Sequence, residues 1–114
     1  MKESALREYV ASSKVRYGRC RSSPELLIAY LDENNAVAMQ LCREAARNLY
    51  LQVTHVLLET ICDELIAKCW RCWCLDNIYR PLACLHKLNQ TEEECRELIH
   101  IQTKVRVFSF YFLN

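Results

Sequence analysis

Glycine and proline are nearly missing from this sequence: one glycine (Gly18) and two prolines (Pro24, Pro81) in 114 residues. A loop that cradles phosphate needs several glycines so that backbone N–H groups can approach the anion, and one glycine excludes it. The same scarcity argues against a fold of many tight β-turns. An excess of charge is missing too. Fifteen basic side chains face fourteen acidic ones, so no strong field draws the chain to nucleic acid. Histidine is sparse, and His55, His86 and His100 lie apart from one another and outside any nucleophile or metal motif. A lone histidine on an apolar strand, as His55 reads, is expected to be a satisfied core residue. These absences predict a protein that is not an enzyme.

Long apolar runs are absent as well. The longest stretch free of Asp, Glu, Lys and Arg covers 48–58, well short of the ~20 residues a membrane-spanning helix needs. Lys2, Glu3, Arg7 and Glu8 interrupt any apolar segment of signal-peptide type. The expectation is a protein of the cytoplasm or nucleus with no membrane contact.

What is present is a globular composition, 52% hydrophobic and 25% charged. It fits a single domain over 1–114, with a basic N-terminal helix and arm at 1–23 and a Cys/Trp-rich part at 69–114. The arm carries Lys2, Arg7, Lys14, Arg16, Arg19 and Arg21 against Glu3 and Glu8. Its run from Lys14 to Arg21 reads as a solvated face, with a nucleic-acid contact as the alternative.

Along the chain, 3–13 reads as a first helix with Leu6 and Val10 one turn apart, and 14–23 as an irregular connection. Residues 24–31 carry two signals. Ser23, Pro24 and Glu25 resemble a helix start, while a short apolar run closed by Asp32–Asn35 also resembles a buried parallel strand. From 36 to about 50, Val37, Ala38, Leu41, Cys42, Ala45, Ala46 and Leu49 form an amphipathic helical stripe. The β-branched run 53–58 predicts a strand. Thr60 then caps a helix with Ile61, Leu65, Ile66, Cys69 and Trp73 inward. A short helical piece follows at 79–88. Thr91 and Glu94 have capping-box spacing and open a helix with Cys95, Leu98 and Ile99 inward. The tail at 104–113 is rich in β-formers and reads as a strand, with 25–31 and 53–58 as its natural neighbours. The favoured class is therefore α/β, a small helix-covered sheet of about three strands, with an all-α bundle as the alternative.

Eight cysteines are many for this length. With no signal peptide expected, they read as reduced thiols, several of them in place of small apolar residues. The densest cluster is Cys69-Trp70-Arg71-Cys72-Trp73-Cys74, followed by Cys84, His86, Cys95 and His100. Thiolate and imidazole are preferred zinc ligands, so Cys69, Cys72, Cys84 and His86 form a candidate metal set, with Cys95 and His100 as a further pair. Cys69 lies late in its expected helix, the wrong end for a thiol activated by the macrodipole. Trp70 and Trp73, with Phe108 and Phe110 of the tail, are candidate partner-binding residues.

The segments Pro24-Glu-Leu-Leu-Ile-Ala-Tyr-Leu-Asp-Glu33, Val37-Ala-Met-Gln-Leu41 and Val53–Glu59, within residues 24–69, resemble the growth-arrest and DNA-damage-inducible stress proteins. These belong to a wider ribosomal-protein-like superfamily with an α/β/α fold. The resemblance implies a non-enzymatic stress-signalling adaptor of nucleus or cytoplasm. Such proteins bind kinases and cell-cycle proteins through acidic loops and form dimers; Asp32 and Glu33 would occupy the acidic-loop position.

The first functional expectation is thus a protein–protein interaction adaptor in stress or cell-cycle regulation, without a cofactor, whose partner is another protein or a second copy of itself. The alternatives are a small zinc-stabilised regulatory adaptor, a viral one among the options, using the Cys/His cluster at 69–100, and a nucleic-acid binder acting through 14–21.

Overall fold

A computed structural model describes residues 12–18 and 24–113. Most of the expected first helix, and Arg19 and Arg21 of the basic run, lie outside the described residues. The elements are α1 (helical over 12–16), α2 (Pro24–Ala38), α3 (Arg43–Ile61), α4 (Lys68–Asn77), α5 (Tyr79–Leu88) and α6 (Glu92–Leu113). Among the described residues there is no strand. The α/β expectation is therefore wrong, and the all-α alternative describes the fold. The α/β/α architecture implied by the stress-protein resemblance is not found over 24–69.

Each expected strand is part of a helix, for a packing reason. In α2, Leu27, Tyr30, Leu31 and Ala38 are buried at helical spacing. Asp32–Asn35 is not a turn closing a strand; it lies within the same helix, and the chain breaks only at 39–42. In α3, Val53, Leu57 and Ile61 are buried four residues apart. Thr54 and Thr60 on the same helix are also buried, and each hydroxyl donates to the carbonyl four residues back, Tyr50 O at 2.8 Å and Val56 O at 2.7 Å. That bond satisfies a buried hydroxyl inside a helix. Thr60 therefore sits in the last turn of α3 rather than capping the next helix. In α6, Leu98, Ile101, Val105, Phe108 and Phe112 recur at alternating steps of three and four, a helical seam that continues through the expected tail strand. β-Propensity is a weak preference that such packing overrides.

The capping box forms as its spacing predicts. Glu94 N–H donates to Thr91 Oγ1 (3.1 Å), and Glu94 Oε1 accepts from the N–H groups of Thr91 (3.2 Å) and Gln90 (2.9 Å). The helical piece at 79–88 is α5. Other inward assignments fail: the helix expected over 36 to about 50 is divided between the end of α2 and the start of α3, with Val37 and Leu41 of its stripe exposed, Leu65 is 95% exposed in the α3–α4 connection, Ile99 is 62% exposed, and Cys42 and Cys95 face solvent.

Helix α3, about 28 Å long at 1.5 Å per residue, is the hub, with α2, α4, α5 and α6 all packed on it. The described residues span 36 × 35 × 19 Å. At roughly 10 Å per helix, the short dimension is two helical layers. Across them run the core side chains Leu27, Leu57, Ile61, Trp70, Ile78 and Leu85.

Candidate interaction surface

The two tryptophans have different surroundings from those of a binding surface. Trp70, in the first turn of α4, is fully buried. Its indole N–H donates to Val15 O at 2.7 Å, and its ring lies directly against Gly18. Trp73 is half-buried and meets Trp70 edge to face at 5.7 Å. Trp70 ties α1 to α4 as a core residue does, so it is not accessible to a partner.

Next to Trp70, Arg71 is also buried. Its Nη1 donates to Ile61 O (3.3 Å) and to Phe112 O (3.0 Å), carbonyls at the C-terminal ends of α3 and α6. A cation suits those ends, where unsatisfied carbonyls carry partial negative charge. Its Nε has no hydrogen-bond partner.

The proposed zinc ligands do not come together. Cys69 is disulfide-bonded, against the expectation of reduced thiols, and it stands in the first turn of α4 rather than late in its helix. Cys72 lines a cleft of about 440 Å³ between α4 and α6, whereas Cys84 lines another, of about 270 Å³, among α2, α3 and α5. His86, Cys95 and His100 are exposed. Among the described residues, no three His, Cys, Asp or Glu side chains are placed to hold a metal ion. Two polar groups nearby are held neutral. Burial pushes the Cys74 thiol up to about 12. Burial, together with the neighbouring Cys84, raises the Tyr50 phenol to about 12.

The basic run contributes little free charge where it is described. Arg16 pairs with Asp63 (2.9 Å) and Glu59 (3.7 Å), leaving Lys14 exposed. His55, expected in the core, is on the outer side of α3, and its Nε2 contacts Glu59 at 2.9 Å.

The outer side of α6 departs from a solvated helix face. Ile99 is 62% exposed, Val107 42%, Phe110 66% and Tyr111 73%. Phe108, by contrast, is half-buried and packs edge to face on Phe112. Of the four aromatic partner candidates, Phe110 is thus the one that is well exposed. The others on this face, Ile99, Val107 and Tyr111, were missed because the tail read as a strand and Ile99 as inward. Their spacing on a continued helix was the available signal. Val37, Met39 and Leu41 expose a second, smaller apolar group at the α2–α3 turn.

Among the described residues no helix is long and apolar enough to cross a membrane. Set against family models, curated proteins and solved structures, the chain has no match.

Proposed function

We propose that this chain is a non-enzymatic helical adaptor, a small regulatory module that docks protein partners on the outer face of α6. The observation that supports this is the group of exposed apolar side chains Ile99, Val107, Phe110 and Tyr111 on one helix. Exposed apolar residues gathered on one face mark interaction sites more than scattered ones do, and aromatic residues dominate binding hot spots. The helix is anchored by its inner seam and by Arg71 at its end, so the face is preorganised before a partner arrives.

Among the described residues there is no sheet edge to recruit a strand, so docking rests on the helical face alone. Zinc does not enter the proposal, because Cys72 and Cys84 line separate clefts.

The test is Phe110→Asp in the full chain. Phe110 is mostly solvent-exposed, so the melting temperature should hold, while capture of the chain's specific binding partners falls. Equal capture by both chains, at equal stability, overturns the reading.

A further inference from the structure

Helix α6 carries two seams. The inner one, Leu98, Ile101, Val105, Phe108 and Phe112, is buried or half-buried, with Leu98, Ile101 and Val105 packed on the core. The outer one, Glu92, Arg96, Ile99, Thr103, Arg106 and Phe110, repeats the same alternation of four and three residues and is exposed along its length. A three-four repeat on a helix surface is the pattern that packs against a second helix lying nearly along it.

Charge along the outer seam is unevenly placed, with the seam's one carboxylate, Glu92, beside Arg96 at one end and Arg106 toward the other. Glu92 stands at its N-terminal end, and its carboxylate is held only by Arg96, at 3.5 Å, with both side chains highly exposed. Arg106 stands toward the C-terminal end with no ion pair among the described residues, and Lys104 lies beside it, exposed. Ile99 is seven residues from each, about two turns either way. This arrangement is complementary to its own reverse. Two copies laid parallel and in register would set Glu92 on Glu92 and Arg106 on Arg106. Two copies laid antiparallel about Ile99 set Glu92 of each against Arg106 of the other, and Ile99 against Ile99. A two-fold contact requires this kind of self-complementarity.

We infer that the outer face of α6 pairs antiparallel with the same face of a second copy, with Ile99 at the two-fold axis and Glu92 of each chain facing Arg106 of the other. Phe110 and Tyr111 then extend past the start of the second copy's α6, over its α5–α6 turn. This inference rests on the reading of α6 as an interaction face and names the partner as the chain itself.

The test is sedimentation equilibrium of the full chain, reduced and unreduced, over a wide concentration range, with Glu92→Arg and Arg106→Glu variants and their equimolar mixture. The expected result is a reversible dimer that weakens with added salt. Each variant alone turns both charge junctions into like-charge contacts and should raise the dissociation constant about tenfold. Mixing the two restores both junctions in the heterodimer. The two substituted side chains, now of opposite sign, face each other at one junction, and the native Glu92–Arg106 pair forms at the other. Thermal melting of each variant establishes that it is folded, as expected for two exposed positions. Association that ignores salt and both substitutions overturns the inference, because another face is then in contact. Weakened variants that do not recover on mixing overturn it too, because the pairing is then not antiparallel. A chain that stays monomeric throughout overturns the pairing alone if Phe110→Asp still loses a foreign partner, and overturns the adaptor surface as well if it does not.

Discussion

The guanidinium of Arg71, on α4, donates to the carbonyl of Phe112, in the last turn of α6, at 3.0 Å. The same Nη1 reaches Ile61 O at the end of α3. One buried cation therefore closes two helix ends that no glycine caps, in a chain whose only glycine is Gly18. It also fixes the far end of the helix that carries the exposed aromatic face.

Arg71→Met keeps most of the aliphatic volume and strands both carbonyls. Leaving buried acceptors unpaired should cost about 2 kcal/mol. Urea denaturation measures it. Hydrogen exchange should rise in the last turn of α6 more than in α5.

Gly18→Ala should be among the most damaging single-methyl additions. A Cβ there would lie 1.9 Å from Cε2 of the buried Trp70 ring. The clash is with a rigid ring held by its own hydrogen bond to Val15, so α1 or α4 must shift. A loss of about 3 kcal/mol is expected, with the tryptophan emission moving to the red as Trp70 gains water. Unchanged melting and emission would mean that α1 does not pack as described.

Acid should loosen the α3–α6 contact through Glu94. Hydrogen bonds from Gln90 N–H, Arg43 and Thr91 N–H hold its carboxyl at about 2, against an ordinary 4.5. A depressed carboxylate stabilises the fold fully above its unfolded value, and that contribution is lost as pH falls from about 4.5 toward 2. Arg43 and Arg47 of α3 lose their shared partner in the same window. The Glu94→Gln chain should show a flatter stability profile over that range and a lower plateau near neutrality, measured by denaturant titration at each pH.

Thiol reactivity should be graded by burial. Exposed Cys42 and Cys95 should alkylate first at mildly alkaline pH. Cys74, fully buried and pushed up to about 12, should react only after unfolding. Mass spectrometry of a timed iodoacetamide reaction reads the order. Early labelling of Cys74 would contradict the packing of α4 on the core.

Several features were legible in the residues alone. Thr91 and Glu94 announce a helix start because a capping box is a local hydrogen-bond device. The piece at 79–88 is local in the same sense, whereas of the stripe expected over 36 to about 50 only the part from Arg43 on is one helix, since the chain breaks at 39–42. The seam from Leu98 to Phe112 was also written in the spacing, but β-branched and aromatic residues at 104–113 masked it.

Other features depended on the tertiary structure. Whether 24–31, 53–58 and 104–113 are strands or helices turned on which surface could bury them, and α3 supplied a helical surface on all sides. Trp70 became core because Gly18 admits its ring. Arg71 became a double cap because α3 and α6 end beside each other. Those are contacts between residues more than forty apart in the case of Arg71 and Phe112. No local propensity encodes them, since their free energy exists only once both helix ends have been brought out of water together.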